Sequence, residues 1–316
     1  MRLAAPPRHT ADMNLTALSG ELVSIAAKAS ASVVSIHSHG RSRMSPAGIV
    51  WRKDLVLTAD STLRRDEGIQ VTLPDGTRVP AELKGRDPST DLALLACDTG
   101  GAPPLEFSDQ AARLGELIIT AGRTTETGPI VTFGMVSGVA GEWQSWRGVK
   151  LDEFVRLDVS IYPTSIGGAV VNTEGRAIGI VSGGLSRSSV LVITRRTIDR
   201  VAEALATKGR VARGYIGIGL QTVAIPQALR TQFAIEQETG VMALSVEEKG
   251  PAAVAGMMMG DVLIAIDNHP VTDAEALHSI LDPSSVGKQV SVVILRGADR
   301  HELRANIAER PPRSAR

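Results

Sequence analysis

The 316-residue chain has one cysteine, 3% aromatic residues and no excess of either charge. With Cys97 alone, no disulfide can form within the chain, and its apolar neighbours at 92–96 predict a packing role rather than a reactive thiol. The 34 basic and 34 acidic residues cancel, which argues against a nucleic-acid-binding surface. The chain contains no run of about 18 apolar residues, so the sequence predicts no membrane span.

The ends of the chain carry no recognisable targeting signal. Residues 1–20 lack the apolar core of a secretory signal peptide and are predicted to form a flexible arm. The sequence as written therefore predicts a cytoplasmic protein, or a periplasmic or extracytoplasmic one if the native chain begins elsewhere. The basic tail at 310–316 is expected to be solvated. Nothing in the sequence indicates a cofactor or a metal ion.

The chain does contain many short apolar runs separated by turn residues. Short strands at regular spacing predict an all-β barrel or sandwich, and the lack of alternating helices argues against a doubly wound sheet. A helical pattern at 195–208, stopped by Gly209, is expected to close this first domain. The runs lie at 33–36, 55–58, 69–73, 92–95, 117–120, 130–133, 177–181 and 190–193.

A different pattern begins near residue 214. Its order of segments resembles that of a bacterial PDZ domain, which is an α+β fold. The segments are strand-like runs at 240–246, 262–266 and 290–295, a predicted helix at 272–281, and the motifs GPAAVAG at 250–256 and GDVL at 260–263.

The most informative segment of the chain is 162–172, which reads YPTSIGGAVVN. It resembles the nucleophile turn of the HtrA (DegP-like) family of trypsin-fold serine proteases, which reads NPGNSGGPLVN. The proline, both glycines, the second valine and the final asparagine match without a gap. The family's nucleophile falls on Ile166, whose side chain has neither a proton to lose nor a lone pair with which to attack a carbonyl.

The resemblance covers the chain from about residue 20 to residue 309. It implies an all-β two-barrel trypsin-like (chymotrypsin-fold) domain followed by an α+β PDZ domain. The predicted division is a flexible arm at 1–20, the trypsin-like domain at 21–208, a linker at 209–213, the PDZ domain at 214–309 and a tail at 310–316.

The other two positions of the family's catalytic triad can be matched in the same way. The segment RDPSTDLALL at 86–95 is similar to the family's stretch around the catalytic aspartate and places Asp91 there. The segment LTADSTL at 57–63 matches the family's LTNNHVV and places Ser61 at the catalytic histidine. No histidine of the chain stands at a matching position; the six are His9, His37, His39, His269, His278 and His301.

Two neighbours of Ile166 bear on any remaining chemistry. Ser165 is the rescue candidate for a nucleophile, but it stands one residue early on a tight turn. Its side chain is expected to point away from Asp91 and to hydrogen-bond nearby backbone. Thr164 replaces the family's glycine in the oxyanion loop, which Thr164 and Ile166 would form, and its branched side chain is expected to alter the peptide orientation.

The PDZ-like half keeps the parts that the resemblance implies for peptide binding. The loop RGYIGI at 213–218 is similar to the family's carboxylate-binding loop, and the helix at 272–281 would form the other wall of the groove. The expected partners are peptides or protein C-termini, and unfolded proteins. The alternative is a blocked groove used only for packing. The predicted binding residues are Gly214, Tyr215, Ile216, Gly217 and Ile218.

Trp143 and Trp146 lie in a polar loop and allow two interpretations. They anchor an interface with another chain, or they fold back onto the barrel. The family resemblance also implies a homotrimer through the trypsin-like domains.

Three hypotheses for function follow. The chain is a pseudoprotease that binds peptides or unfolded segments without cutting them, because Ser61 and Ile166 stand in for the base and the nucleophile. Alternatively, it is an active endopeptidase with an unconventional site built on Ser165 or Ser61. Thirdly, it is a regulatory subunit that assembles with an active relative.

Overall fold

The computed structural model describes residues 14–38, 45–144, 150–186 and 188–310. Its elements confirm the predicted fold class, an all-β pair of barrels followed by a smaller α+β domain. The first element is helix α1, Leu15–Ser30, which begins inside the predicted arm. It does so because the Asn14 side chain caps it, accepting hydrogen bonds from the amides of Thr16 and Ala17.

Six antiparallel strands close the first barrel in the order β1-β2-β3-β6-β5-β4. Side chains alternate between the two faces of each strand, and the inward ones, such as Val34, Val56 and Leu95, are fully buried. The strands are β1 Val33–Ser38, β2 Ala47–Arg52, β3 Leu55–Ala59, β4 Ile69–Thr72, β5 Arg78–Asp87 and β6 Leu92–Ala96.

The second barrel closes in the order β11-β14-β13-β12-β7-β8, and β9 and β10 form a separate hairpin beside it. Val170, Val181 and Val136 fill its interior. The strands are β7 Leu117–Thr124, β8 Gly128–Ala140, β9 Trp143–Gln144, β10 Lys150–Leu151, β11 Phe154–Asp158, β12 Ala169–Asn172, β13 Ala177–Ser182 and β14 Val190–Thr194.

Arg123 on β7 joins the second barrel to the first. Its guanidinium is buried and donates hydrogen bonds to the carbonyl oxygens of Ser30 at 3.1 Å, Val33 at 2.7 Å and Pro74 at 3.4 Å. A charged donor on a buried carbonyl makes a stronger hydrogen bond than a neutral one. This one side chain therefore fixes the end of α1, the start of β1 and the turn after β4 against the second barrel.

Helix α2, Arg195–Lys208, follows β14 with the bounds that the sequence predicts. Ile198, Val201 and Leu205 repeat at helical spacing and are buried in the core shared with the barrels. The helix ends at Gly209 because this residue adopts φ +69°, a left-handed conformation that glycine takes without steric cost.

The last part of the chain forms a sheet in the order β16-β17-β18-β20-β21, with β19 on β18 and a separate pair of β15 with β22. Helix α5 is shorter than the predicted 272–281 because Asp273 caps it, accepting a hydrogen bond from the Ala276 amide at 2.8 Å. The elements are β15 Gly214–Tyr215, β16 Ile218–Ala224, α3 Gln227–Phe233, β17 Thr239–Val246, α4 Pro251–Val254, β18 Val262–Ile266, β19 His269–Pro270, α5 Ala274–Ile280, β20 Gln289–Arg296, β21 Asp299–Asn306 and β22 Ala308–Glu309.

A polar junction connects the barrels to the final sheet. The buried carboxylate of Asp87, at the end of β5, accepts hydrogen bonds from Arg213 at 2.9 Å and from Thr90 at 2.8 Å. Close by, a β-carbon on Gly85 would lie 2.2 Å from the carbonyl oxygen of Gly209. Any residue other than glycine at position 85 would therefore push the chain away from the barrel just before the final domain begins.

Two predictions about individual side chains can be compared with the structure. Cys97 is buried as expected, and burial raises the pKa of its thiol to about 11, so it stays protonated at neutral pH. Trp143 folds back onto its own domain: its ring meets Phe154 edge to face, and its Nε1 donates to the carbonyl of Glu153 at 3.0 Å. Trp146 lies outside the described residues. Within the described ranges, no helix is long and apolar enough to cross a bilayer.

Candidate active site

The turn that carries Ile166 is wedged between the two barrels. Residues Pro163–Ser165 form a single 3₁₀ turn, and Gly167 follows with φ +81°. The carbonyl oxygen of Ile166 accepts a hydrogen bond from the Ala47 amide at 2.9 Å. A β-carbon on Gly167 would lie only 2.3 Å from the Ala47 carbonyl oxygen, so both the backbone angle and the available space require glycine here.

The structure brings Ile166 and Ser61 to the same place, although they are far apart in sequence. Both lie against Gly183, which follows β13. A β-carbon on Gly183 would be 2.8 Å from Cγ2 of Ile166 and 3.0 Å from Oγ of Ser61. The branched side chain and the serine hydroxyl thus share one small space at the cleft between the barrels.

Asp91 lies next to this pair, and its carboxylate is surrounded by donors. It is 1% exposed and has φ +60° just before β6. Oδ1 accepts from the Ser61 amide at 2.7 Å, and Oδ2 accepts from the Ser182 hydroxyl at 2.6 Å. The amides of Gly183 and Gly184 also donate to Oδ2, at 2.9 and 2.7 Å. Four donors on one buried carboxylate satisfy the charge without a basic side chain.

The hydrogen bonds of Asp91 have a chemical consequence. In a serine protease triad the aspartate receives a hydrogen bond from the histidine and holds the imidazole in the correct tautomer. None of the four histidines in the described ranges, His37, His269, His278 and His301, hydrogen-bonds to Asp91. The carboxylate instead accepts hydrogen bonds from backbone amides and from the hydroxyl of Ser182.

A second buried acid stands beside the site and was not foreseen from the sequence. Asp60, immediately before Ser61, is 5% exposed. Burial raises the pKa of its carboxyl, while Arg86 acts in the opposite direction by donating a hydrogen bond to it and by its positive charge. Arg86 also donates to Asp66 at 2.6 Å. This ion-pair network fixes the turn that carries Ser61.

Ser165 packs against strand β7, and no hydrogen bond joins it to Asp91 among the described residues. Its side chain is fully buried, and a β-carbon built on Gly122 of β7 would lie 2.9 Å from its Oγ. The expectation that this hydroxyl would bond nearby backbone is wrong, because Oγ has no hydrogen-bond partner among the described residues. The amide of Ser165 instead donates to the Tyr162 carbonyl at 2.8 Å. The tight turn thus leaves the hydroxyl facing β7 rather than a polar partner.

The oxyanion loop has one of its two expected amide donors engaged in a backbone hydrogen bond. The Ile166 amide donates to the Pro163 carbonyl at 3.3 Å, which closes the 3₁₀ turn. Thr164 is buried, and its hydroxyl has no partner among the described residues. An oxyanion hole needs donors directed at the position where the negative charge develops. In this turn, one of the two predicted donors is already used internally.

One serine does contact an imidazole, at a place that the sequence did not mark. Ser45 Oγ lies 2.8 Å from Nδ1 of His37, and Nε2 of His37 lies 2.9 Å from the Thr72 hydroxyl. Thr125 approaches the same Nε2 at 3.4 Å. Burial, with a smaller contribution from Arg78, lowers the pKa of His37 to about 4, so the ring is neutral near pH 7. In the part of the chain that the structure describes, no acidic side chain hydrogen-bonds to this ring, and Ser45 itself is buried.

The predicted peptide groove has an open side. Among the described strands, β16 is an edge of its sheet and pairs with β17 alone. Ile216 is buried in the domain core, and its carbonyl accepts from the Ala252 amide at 2.8 Å. Gly217 has φ +79°, and within the described residues no backbone carbonyl accepts a hydrogen bond from the amides of Ile216 and Gly217. Ile218 is half-buried at the start of β16.

Comparisons with known proteins agree with this architecture. A family model described as a trypsin-like peptidase domain matches residues 47–180, and a PDZ domain model matches 214–307. Similar curated proteins include one named "Probable periplasmic serine endoprotease DegP-like" from Halomonas elongata, 28% identical over 282 residues, which are 87% of this chain and 58% of the relative. A protein of the same name from Brucella suis is 28% identical over 285 residues, 86% of this chain and 54% of the relative. The chain thus spans little more than half the length of these relatives.

Solved structures give the same result. The serine endoprotease from Yersinia pestis has a TM-score of 0.68 and 26% identity, covering 91% of this chain and 97% of that protein. The HtrA-type protease AlgW, solved with a tripeptide, has a TM-score of 0.67 and 26% identity, covering 92% of this chain and 97% of its own. Two closed barrels with an attached PDZ domain, matched over most of the chain, give the protein the domain architecture of the HtrA-type proteases to which it is similar.

Proposed function

We propose that this chain is an HtrA-like pseudoprotease, which binds peptides or unfolded segments without cutting them. The observation that carries the proposal is the packing of Ile166 and Ser61 around Gly183, beside an Asp91 carboxylate that accepts hydrogen bonds from three amides and a hydroxyl. An aliphatic side chain supplies no nucleophile, and a serine in place of histidine supplies no general base near neutral pH.

The expected loss of activity can be sized. Removing either the nucleophile or the base of a serine protease triad costs on the order of 10⁶ in turnover, about 8 kcal/mol of transition-state stabilisation. The remaining activity of such enzymes comes from binding and the oxyanion hole, about 10³ to 10⁴ over water. Here the Ile166 amide bonds to Pro163 instead, which supports a still lower residual rate.

Peptide binding is proposed for the PDZ domain, with the loop residues Gly214, Tyr215, Ile216, Gly217 and Ile218 as its site. An exposed strand edge can accept a peptide as an additional strand, and free amides beside that edge can donate hydrogen bonds to the peptide backbone. The edge position of β16 among the described strands, and the amides of Ile216 and Gly217 that no described backbone carbonyl accepts from, support this mode. The structural relative AlgW was solved with a tripeptide, which agrees with a peptide ligand for this chain.

The test uses the purified full chain, unfolded casein and a serine-reactive fluorophosphonate probe. We expect neither cleavage nor labelling, whereas an active HtrA protease run in parallel cuts and labels. A gain-of-function control combines Ser61→His with Ile166→Ser, which restores the family's catalytic histidine and serine. The proposal would be overturned if the wild-type chain cleaved casein in the presence of inhibitors of the other protease classes. The cleavage would also have to disappear when a single serine is replaced.

A second candidate function, an unconventional serine endopeptidase, is supported by one contact. Ser45 meets a neutral imidazole at hydrogen-bond distance, as a nucleophile meets its base. Two observations count against it: Ser45 is buried, and the partners of the imidazole within the described ranges are hydroxyls rather than a carboxylate. The substitutions Ser45→Ala and Ser165→Ala, made separately, distinguish the two sites. Activity that depends on Ser45 would disappear only in Ser45→Ala, and activity that depends on Ser165 only in Ser165→Ala.

The assembly and the compartment are also proposals. The periplasmic relatives support a periplasmic location. A homotrimer through the barrels, or a mixed assembly in which this chain regulates an active relative, fits a family member that does not cut. Size measurement of the purified chain, and co-purification from its native cell, test the two. A protein always recovered alone as a monomer would contradict both.

A further inference from the structure

An acidic side chain lies against the loop that is proposed to receive the peptide. Glu247 follows β17, and its amide donates to the Gly217 carbonyl at 2.8 Å. A β-carbon built on Gly217 would lie 3.5 Å from Cβ and 3.5 Å from Oε2 of Glu247. The hydroxyl of Tyr215 donates a hydrogen bond to the same Oε2. The Glu247 carboxylate, although exposed, is therefore anchored beside the loop by Tyr215.

Among the described residues, no basic side chain forms an ion pair with this carboxylate. Arg213, which directly precedes the loop, donates a hydrogen bond to Asp87 of the first domain. Arg310 acts electrostatically on Tyr215, and its amide donates a hydrogen bond to the Arg213 carbonyl at 2.9 Å. Glu248 and Lys249 follow Glu247 in sequence, are both exposed and cancel each other in charge. Glu247 is thus the charged residue that contacts the loop directly, through Tyr215 and Gly217.

A free peptide terminus would bring a second negative charge to this point. Two like charges a few ångströms apart near a protein surface repel, and partial exposure reduces the repulsion without removing it. A cationic side chain at the same place would instead be attracted. The charge at the loop therefore opposes one class of ligand and favours another.

We propose that the groove selects an extended segment that presents a lysine or arginine side chain to the Tyr215–Glu247 pair, rather than a free C-terminal carboxylate to the loop. Glu247 is then the specificity-determining residue, and Tyr215 positions it. This inference rests on the proposed peptide binding and names the chemistry of its ligand. Such ligands are internal segments of unfolded chains, in which no terminal carboxylate is present.

The test compares three fluorescein-labelled peptides of one extended sequence, which end in a valine carboxylate, a valine amide or a lysine amide. Binding to the full chain is measured by fluorescence anisotropy at low ionic strength. The lysine amide should bind best and the valine carboxylate worst. Glu247→Gln should narrow the spread of the three affinities by roughly three- to tenfold. The matched control Glu248→Gln removes the same charge one residue away and should leave the spread unchanged within about twofold.

The outcomes separate this inference from the proposed function. If the wild-type chain prefers the valine carboxylate, or if Glu247→Gln and Glu248→Gln change the spread equally, the inference is wrong while peptide binding stands. If the wild-type chain and Glu247→Gln bind none of the peptides, although circular dichroism shows both folded, peptide binding and the inference fail together. Binding in the expected order, narrowed only by Glu247→Gln, supports both.

Discussion

The cleft between the barrels and the groove of the PDZ domain differ in whether their backbone amides are hydrogen-bonded within the fold. In the cleft, the amides of Ser61, Gly183 and Gly184 all donate to Asp91, and the Ile166 amide bonds within its own turn. In the groove, β16 is an edge strand, and no backbone carbonyl among the described residues accepts a hydrogen bond from the amides of Ile216 and Gly217. A site that binds a ligand needs donors left over from folding. By that criterion the groove is prepared for a ligand and the cleft is not.

The largest effect on stability is expected for a substitution of Asp91, and it tests whether this residue stabilises the fold. Replacing it by alanine leaves four buried donors without an acceptor, so we expect Asp91→Ala to lower the free energy of unfolding by about 3–5 kcal/mol. Urea denaturation of the full chain measures this change. The matched control is Asp158→Ala on β11, an exposed aspartate of the second barrel, expected to stay within about 0.5 kcal/mol. A loss as small as that of the control would show that the carboxylate contributes little to the fold.

The next effect concerns His37. Its folded-state pKa of about 4 lies below the ordinary value of 6.5, so the unfolded chain binds the proton first as the pH falls. The stability that the neutral ring contributes is complete above pH 6.5 and is lost as the pH falls toward 4. With allowance for partial exposure, this amounts to about 1–3 kcal/mol.

Denaturation curves at pH 7 and pH 4.5 check the expectation for His37. His37→Gln, which cannot take up a proton, should lose less stability over this interval than the wild type. The comparison also bears on the second candidate function, because a ring that is neutral only through burial is a weak base. Equal pH dependence in the two proteins would mean that other groups titrate instead.

A smaller effect is expected in the groove. Ile218 is half-buried where β16 meets the loop, and replacing it by serine removes apolar surface that a bound peptide would cover. We expect Ile218→Ser to weaken binding of the lysine amide peptide by about tenfold, or 1.4 kcal/mol. Thr222→Ala, on the exposed part of the same strand, serves as the control. Equal affinities in the two variants would place the peptide elsewhere.

The smallest effect distinguishes the two members of the Tyr215–Glu247 pair. Tyr215→Phe keeps the ring and removes the hydroxyl that holds the carboxylate, so the spread of peptide affinities should narrow about twofold, less than in Glu247→Gln. The same anisotropy titrations measure it. A change larger than that of Glu247→Gln would indicate that the hydroxyl, and not the carboxylate, meets the ligand.

The sequence predicted those parts of the molecule that local pattern controls. The bounds of α2 follow from its buried stripe and from Gly209, and Gly167 follows from a turn that only glycine can make. The positions of Asp91 and Ile166 came from matched segments. The partners of Asp91 could not be predicted, because Ser182, Gly183 and Gly184 lie some ninety residues away and reach it only when the second barrel closes.

Other misses have similar causes. The contact between Ser45 and His37 depends on how β1 and the start of β2 approach each other, which no spacing in the sequence records. The start of α1 inside the predicted arm has a local signal, because an asparagine directly precedes the first helical turn. The absence of a described partner for the Ser165 hydroxyl is a consequence of close packing against Gly122. A turn serine usually finds a backbone partner, but here the neighbouring strand occupies that space.

The guanidinium of Arg123 also has a mechanical consequence. From a strand of the second barrel, it donates hydrogen bonds to carbonyls in α1, β1 and the turn beyond β4. The two barrels therefore cannot slide past each other without breaking these charged hydrogen bonds together. Under force applied to the two ends of the chain, we expect the PDZ domain to come away first and the barrels to yield later in a single step. The hydrogen bonds of this one arginine would then determine whether a pulling experiment records one rupture event or two for the barrels.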